Sequence, residues 1–324
     1  MAKHNHFPGL DCGAPAAEMV RLVLRTQVNN LCRLRPKALD WNDPEGVHDM
    51  RVVSRRLRSA LTDFKPYMRG FTLPQPQLKV IADALGAVRD EDVALAALEQ
   101  LASKAKGAAA EGIRLIAEEH RRRQKHARAE LETGIKSAAI HDFEKEFYAN
   151  LKSFRIAAVK NSDANRDNGV MAFRDVGREI ILARIEEVSD ASPHLYSPFH
   201  IKELHELRIL AKRLRYAIEL FADCWPQSAR IAKEVAMLQT SLGELHDCDV
   251  WLDNLGTRLR QIARRGTRDE TTRQIKAGAV ALIRQFARER TERYREALTR
   301  WQHWEAVGLL DQFQSALEGS STTR

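Results

Sequence analysis

Apolar residues return every three or four positions along almost the whole chain, and alternating strand-like runs are missing. That period predicts α-helix throughout, because 3.6 residues per turn gathers such side chains on one face. Proline, glycine and polar clusters break the pattern at Pro36 to Pro44, at residues 70–76 (GFTLPQP), at Trp225-Pro226 and at the polar run 161–169. Proline cannot continue a helix, and glycine resists one. The polar run lies near the middle of the chain and predicts a linker between two halves.

Those halves share sequence. Residues 47–64 read VHDMRVVSRRLRSALTDF and residues 204–221 read LHELRILAKRLRYAIELF, with 7 of 18 positions identical at an offset of 157. The same offset aligns LGAVRDEDV at 85–93 with LGELHDCDV at 242–250. Two motifs held at one spacing make chance an inadequate explanation, so the chain reads as two copies of one helical unit. A looser match, shifted by ten residues, sets Arg121, Arg123 and Arg128 against Arg288, Arg290 and Arg295.

The first motif carries the candidate chemistry. At 100° per residue, Val47, Met50, Val53, Ser54, Leu57, Leu61 and Phe64 form the core face of a helix. Asn42 or Asp43 is positioned to cap it ahead of Pro44, and Ser197-Pro198 is expected to start its counterpart. His48, Arg51, Arg55 and Arg58 make a second stripe, repeated by His205, Arg208, Lys212 and Arg215. A lone basic stripe usually lies along a solvated face. Here the stripe recurs in both copies, and neither copy was expected to hold an acid that neutralises it. Like charges in a row are tolerable when an anion shares them, and guanidinium forks suit phosphate oxygens. A row of cations fits a row of phosphates.

The second motif places Gly86 and Gly243 inside helices, where glycine is costly, and so predicts close helix approach. Arg89 and His246 extend the basic surface. Asp90, Asp92, Asp247 and Asp249 allow two readings, metal ligation or the positioning of a basic side chain on the neighbouring helix; the surrounding arginines favour positioning. Further candidates are Arg121, Lys125 and Arg128 in the densest basic run, Arg288 and Arg295 in its counterpart, and Arg21 and Arg178 on the first helix of each unit.

Composition adds limits. The 324 residues carry 52 Lys+Arg against 44 Asp+Glu, a net charge of +8, which favours an anionic partner. Aromatics are 6%, too few to suggest base stacking along a nucleic acid. Cys12, Cys32, Cys224 and Cys248 form no CxxC pair, so reduced thiols and no metal centre are expected. No apolar run approaches the ~20 residues of a membrane helix, and a cytoplasmic protein is expected.

The paired motifs His48-Asp49-Met50-Arg51 with Arg55-Arg56-Leu57-Arg58, and Leu85-Gly86 with Arg89-Asp90-Glu91-Asp92-Val93, resemble the CHAD family, the conserved-histidine α-helical domain. The likeness spans roughly residues 16 to 318. It implies an all-α fold of two tandem helical bundles related by a pseudo-twofold axis around a basic central pore or groove. It further implies binding of inorganic polyphosphate and association with polyphosphate granules. Some members are fused to a triphosphate-processing CYTH domain, for which the two repeats leave no room, so no enzymatic activity and no cofactor are expected. The expected organisation is a disordered tail at 1–15, repeats at 16–160 and 171–318, a linker at 161–170 and a disordered tail at 319–324. A metal-dependent phosphohydrolase, a histidine phosphotransferase and a nucleic-acid binder are the competing readings; no Walker loop or nucleophile elbow supports the enzymes.

Overall fold

A computed structural model describes residues 7–72, 75–156, 171–266 and 269–319. Within them the chain forms eleven α-helices. The first half holds α1 (Ala16–Arg33), α2 (Arg35–Leu39), α3 (Pro44–Phe64), α4 (Gln75–Lys104), α5 (Gly107–Gly134) and α6 (Ser137–Ser153). The second holds α7 (Phe173–Ala191), α8 (Ile201–Leu220), α9 (Ser228–Arg265), α10 (Glu270–Val307) and α11 (Leu309–Gly319). One departure from the all-helical expectation is a two-residue antiparallel pair, β1 (Met68–Arg69) with β2 (Arg155–Ile156).

The two repeated motifs fall on corresponding helices, α3 with α4 and α8 with α9. The apolar face of α3 behaves as its spacing predicts: Val47, Met50, Ser54, Leu57 and Phe64 are all fully buried. Its start is also as expected, since the Asp43 carboxylate accepts from the backbone N–H groups of Glu45 (3.0 Å) and Gly46 (3.1 Å). Helix α8 differs. It begins only at Ile201, after a 3₁₀ turn over Ser192–Tyr196, and no side chain caps it. The backbone carbonyl of Pro198, expected at that helix start, instead accepts from Arg290 at 2.8 Å.

Aromatic packing joins the halves. Phe64 of α3 lies 6.3 Å from Phe173 of α7 and 6.0 Å from Phe221, which follows α8. One core therefore runs through both repeats. A second apolar cluster, containing Leu98, Ile113, Leu255 and Leu282, fills the space among α4, α5, α9 and α10. There α5 crosses α10 at Gly112 and Gly278, where any Cβ would strike the opposite backbone: one on Gly112 would lie 1.8 Å from the Gln274 carbonyl oxygen. Close backbone approach thus occurs at these glycines, and also where Gly46 of α3 meets the Lys37 carbonyl of α2.

Two expectations about the chain ends and cysteines need correction. Residues 7–15 are not a loose tail. Phe7 is only 3% exposed, and this segment bonds to the start of the second repeat, through Arg174 N–H to the Cys12 carbonyl (2.9 Å) and Phe173 N–H to the Ala14 carbonyl (3.0 Å). Cys12 and Cys224 form a disulfide across 212 residues of sequence, which no local spacing could reveal. Cys32 and Cys248 remain thiols, and burial pushes both up to about 12. The expected linker at 161–170 and the tails at 1–6 and 320–324 lie outside the described residues. No helix among the described residues is long and apolar enough to cross a membrane.

Candidate functional site

Helices α3 and α8 pack against each other, which brings Lys212 of the second stripe to Arg51, Arg55 and Arg58 of the first. A cleft of about 480 Å³ opens there. Its cationic walls are Arg51, Arg55 and Arg58 from α3 and Lys212 from α8, with Ala82, Asp83, Gly86, Ala87 and Asp90 of α4 opposite. Ser54 also lines it, fully buried and without a hydrogen-bond partner for its hydroxyl among the described residues.

Each cation is held differently. Arg51 reaches across to α4 and donates to Asp90 at 3.2 Å, an exposed pair on the carboxylate side. Gly86 makes that reach possible, since a Cβ there would sit 2.6 Å from the Arg51 Nη1. Arg55 donates through Nε and Nη2 to the Tyr216 hydroxyl, at 3.2 and 2.9 Å. Arg58 is exposed on the cleft wall. In the second half, Arg208 passes over Gly243 with ordinary clearance, 3.8 Å from where a Cβ would stand.

The electrostatics show how crowded these cations are. Burial, and then Arg55, Arg208, Arg213 and Arg51, hold the Lys212 amine down to about 8. Burial also lowers Arg51 and Arg208, opposed by Asp90 at the first and by Asp247 at the second. Burial raises Asp247, and Arg208 acts against that rise. A cation desolvated among like charges is stabilised by a bound anion, which replaces the water it has lost.

The remaining candidates divide. His205 and His246 form a close pair with tilted rings, centroids 4.0 Å apart and Nδ1 atoms 3.1 Å apart. Burial lowers both, aided by Arg208 and Lys212 for His205; burial, His205 and Arg208 bring His246 to about 4. His48 and Arg89 are half-buried on α3 and α4 and do not line the cleft. Arg215 is engaged by Glu219 at 2.6 Å and by Gln239 at 3.1 Å, and Glu219 also meets Arg56 at 3.3 Å. The expectation that neither stripe holds a neutralising acid therefore fails at Arg215.

Several outlying basic residues are engaged within the protein. Arg21 donates to the carbonyls of Leu151 (3.1 Å) and Phe154 (2.7 Å), so it ties α1 to the end of α6. Arg178 pairs with Asp175 at 3.1 Å. Arg121 meets Glu99 at 2.8 Å and also Glu118. Arg128 is 8% exposed, 3.7 Å from Asp92 and 5.2 Å from the Trp41 ring centroid. Lys125, Arg288 and Arg295 are exposed and lie away from the cleft lining. The four aspartates sit beside basic side chains: Asp90 at Arg51, Asp92 at Arg128, Asp247 near Arg208, and Asp249 at Arg290 (2.5 Å).

Sequence reasoning missed Tyr216, Ser54 and Asp83. Tyr216 stands opposite Ser59 in the repeat, and Ser54 opposite Ala211, so comparing the copies could not mark either.

A family model described as the CHAD domain matches residues 22–256. An uncharacterized protein, Rv2226, of Mycobacterium tuberculosis is 25% identical over 248 residues, covering 74% of this chain and 45% of the relative. A second uncharacterized protein from another strain of that organism, MT2285, matches equally. The chain thus spans about half the length of these curated relatives. Among solved structures, the CHAD domain from the plant Ricinus communis superposes with a TM-score of 0.62 at 21% identity, covering 85% of this chain and 95% of that one. PptA from Streptomyces chartreusis gives 0.62 at 16% identity, covering 89% and 100%.

Proposed function

Since the chain belongs to the CHAD domain family, we propose that it binds inorganic polyphosphate, without catalysis, in the cleft that α3 and α4 form with Lys212 of α8. One observation carries this reading: Lys212 of the second repeat lines the same cleft as Arg51, Arg55 and Arg58 of the first. A duplication that brings its matched cations to one cleft makes a site neither copy has alone. In this reading the repeats are related by a pseudo-twofold axis, the cleft is part of a basic groove, and the aspartates of α4 and α9 aim the arginines. Recruitment to polyphosphate granules in the cytoplasm follows as the cellular expectation.

Polyphosphate suits this cleft better than nucleic acid. It carries charge on every unit and is flexible and thin. None of the residues lining the cleft is aromatic, so single-stranded DNA would forgo about 1–3 kcal/mol per stacked base. Titration calorimetry with long-chain polyphosphate, tripolyphosphate and single-stranded DNA at one ionic strength tests the proposal. Polyphosphate should bind most tightly, strengthen with chain length until the groove is filled, and weaken with salt. Equal affinity for single-stranded DNA would replace this reading with a nucleic-acid one.

A further inference from the structure

Lys212 differs in kind from its neighbours. It is an amine among guanidiniums, the one member of the cleft's cationic wall that can become a neutral nucleophile at ordinary pH. It lines a cleft of about 480 Å³, within the general range of small-molecule sites, and Arg51, Arg55 and Arg58 line that cleft with it. Arg208 and Arg213 bear on it from its own helix. This places a nucleophile next to a phosphate cradle.

We propose that Lys212 is an acylation site for small acyl phosphates, with the surrounding guanidiniums holding the phosphate end while Nζ attacks the carbonyl carbon. The inference rests on the cleft being a phosphate site. The neutral amine gives its lone pair to the carbonyl carbon and forms the C–N bond. The C–O bond to phosphorus breaks on the acyl side, and inorganic phosphate leaves with that electron pair. The proton released from nitrogen passes to the departing phosphate or to water. No oxidant, reductant or metal enters the balance. The product is a neutral amide, so one cation is lost from the lining of the cleft.

Two features favour the step. The first is the cradle: arginines lower the charge of the leaving phosphate where it departs. The second is the amine, held at about 8 against an ordinary 10.5. At pH 7.5 that raises its neutral fraction roughly two-hundredfold over an ordinary lysine. Acylation would remove a charge-assisted contact and weaken polyphosphate binding by roughly tenfold or more. The site would then sense the acyl-phosphate supply through the same arginines that hold its ligand.

The full chain, treated with acetyl phosphate at pH 7.5 and followed by peptide mass spectrometry, tests this. Lys212 should acetylate at least about tenfold faster than the exposed Lys79 and Lys104. Tripolyphosphate should slow the reaction at Lys212 and leave the other two unchanged. Acetic anhydride, a donor without phosphate, should show a much smaller preference for Lys212. Acetylation of Lys212 no faster than that of Lys104, no protection by tripolyphosphate, or equal preference with both donors would each overturn the proposal. Polyphosphate binding by the untreated chain, titrated in parallel, separates the two readings. Normal binding with unreactive Lys212 removes the acylation site alone, and absent binding removes the polyphosphate reading.

Discussion

The stripes on α3 and α8 match in sequence and differ in how free their charges are. On α3, Arg51 meets an exposed aspartate, Arg55 rests on a neutral hydroxyl, and Arg58 faces the cleft. On α8, the histidine is paired with a second histidine, Arg215 is neutralised by Glu219, and Lys212 is only partly charged near pH 8. The same positions therefore serve two purposes. The first copy holds its cleft cations as guanidiniums. The second holds Lys212 and a histidine pair, groups whose charge depends on pH.

The largest expected effect comes from stripping the first copy and sparing the second. Arg51→Ala with Arg55→Ala should cost about a hundredfold or more in polyphosphate affinity, at about 1.5–3 kcal/mol for each charge-assisted contact. Arg215→Ala, already engaged within the protein, should change affinity less than about threefold. Leu57→Ala, fully buried on the same helix, should show the opposite signature: a fold weaker by about 2–5 kcal/mol. Calorimetry and thermal melts on the three variants read this out. Equal losses from the α3 pair and Arg215→Ala would erase the asymmetry between the copies.

A smaller effect separates the two repeated glycines. Each Gly→Ala change should gain up to about 1 kcal/mol of helix stability from propensity alone. Gly86→Ala puts a methyl 2.6 Å from the Arg51 guanidinium, so Arg51 must swing off its line to Asp90. Affinity should fall several-fold with the fold intact. Gly243→Ala meets Arg208 at an ordinary 3.8 Å and should leave affinity unchanged. Indistinguishable affinities would show that the placement of Arg51 is not needed for binding.

The glycines also mark what a sequence can and cannot tell. A repeated glycine in a helix is visible as a constraint, but its cause is not: Gly86 clears room for an arginine, whereas the unrepeated Gly112 and Gly278 meet across a close backbone contact. Helical period exposed the core face of α3 almost residue by residue, because burial and period are one geometric fact. The duplication pointed to Arg51, Arg55 and Lys212, which the fold brings to one cleft, because both copies carry a base there. It pointed equally to Arg21 and Arg178, which lie outside that cleft and bond within the protein. It was silent on Tyr216 and on the Cys12–Cys224 bond, which exist in one copy or across both. Pairing between distant segments leaves no periodic trace.

The finest distinction between the copies is the histidine pair. Position 89 is arginine in the first repeat, and its counterpart in the second is His246, its ring tilted against that of His205. An Nδ1 separation of 3.1 Å lets one ring donate and the other accept, an arrangement that needs a neutral ring. Burial and the nearby Arg208 and Lys212 oppose protonation of this pair, and Asp247 follows His246 on α9. Between the ordinary 6.5 and about 4, the unfolded chain binds protons that folded His246 refuses. Stability of the free protein from this pair is therefore present above about 6.5 and falls as pH drops through that window. A bound polyanion reverses the balance, because its charge favours the imidazolium. The sign is then fixed: the thermal stabilisation given by polyphosphate should be larger at pH 5.5 than at pH 7.5, and calorimetry in buffers of different ionisation enthalpy should show proton uptake on binding near pH 6. His246→Arg, which restores the residue type of the first copy, should keep affinity at pH 7.5 and abolish most of that uptake. Uptake unchanged in His246→Arg would move the proton sensor off the second repeat and make the two copies alike in this respect.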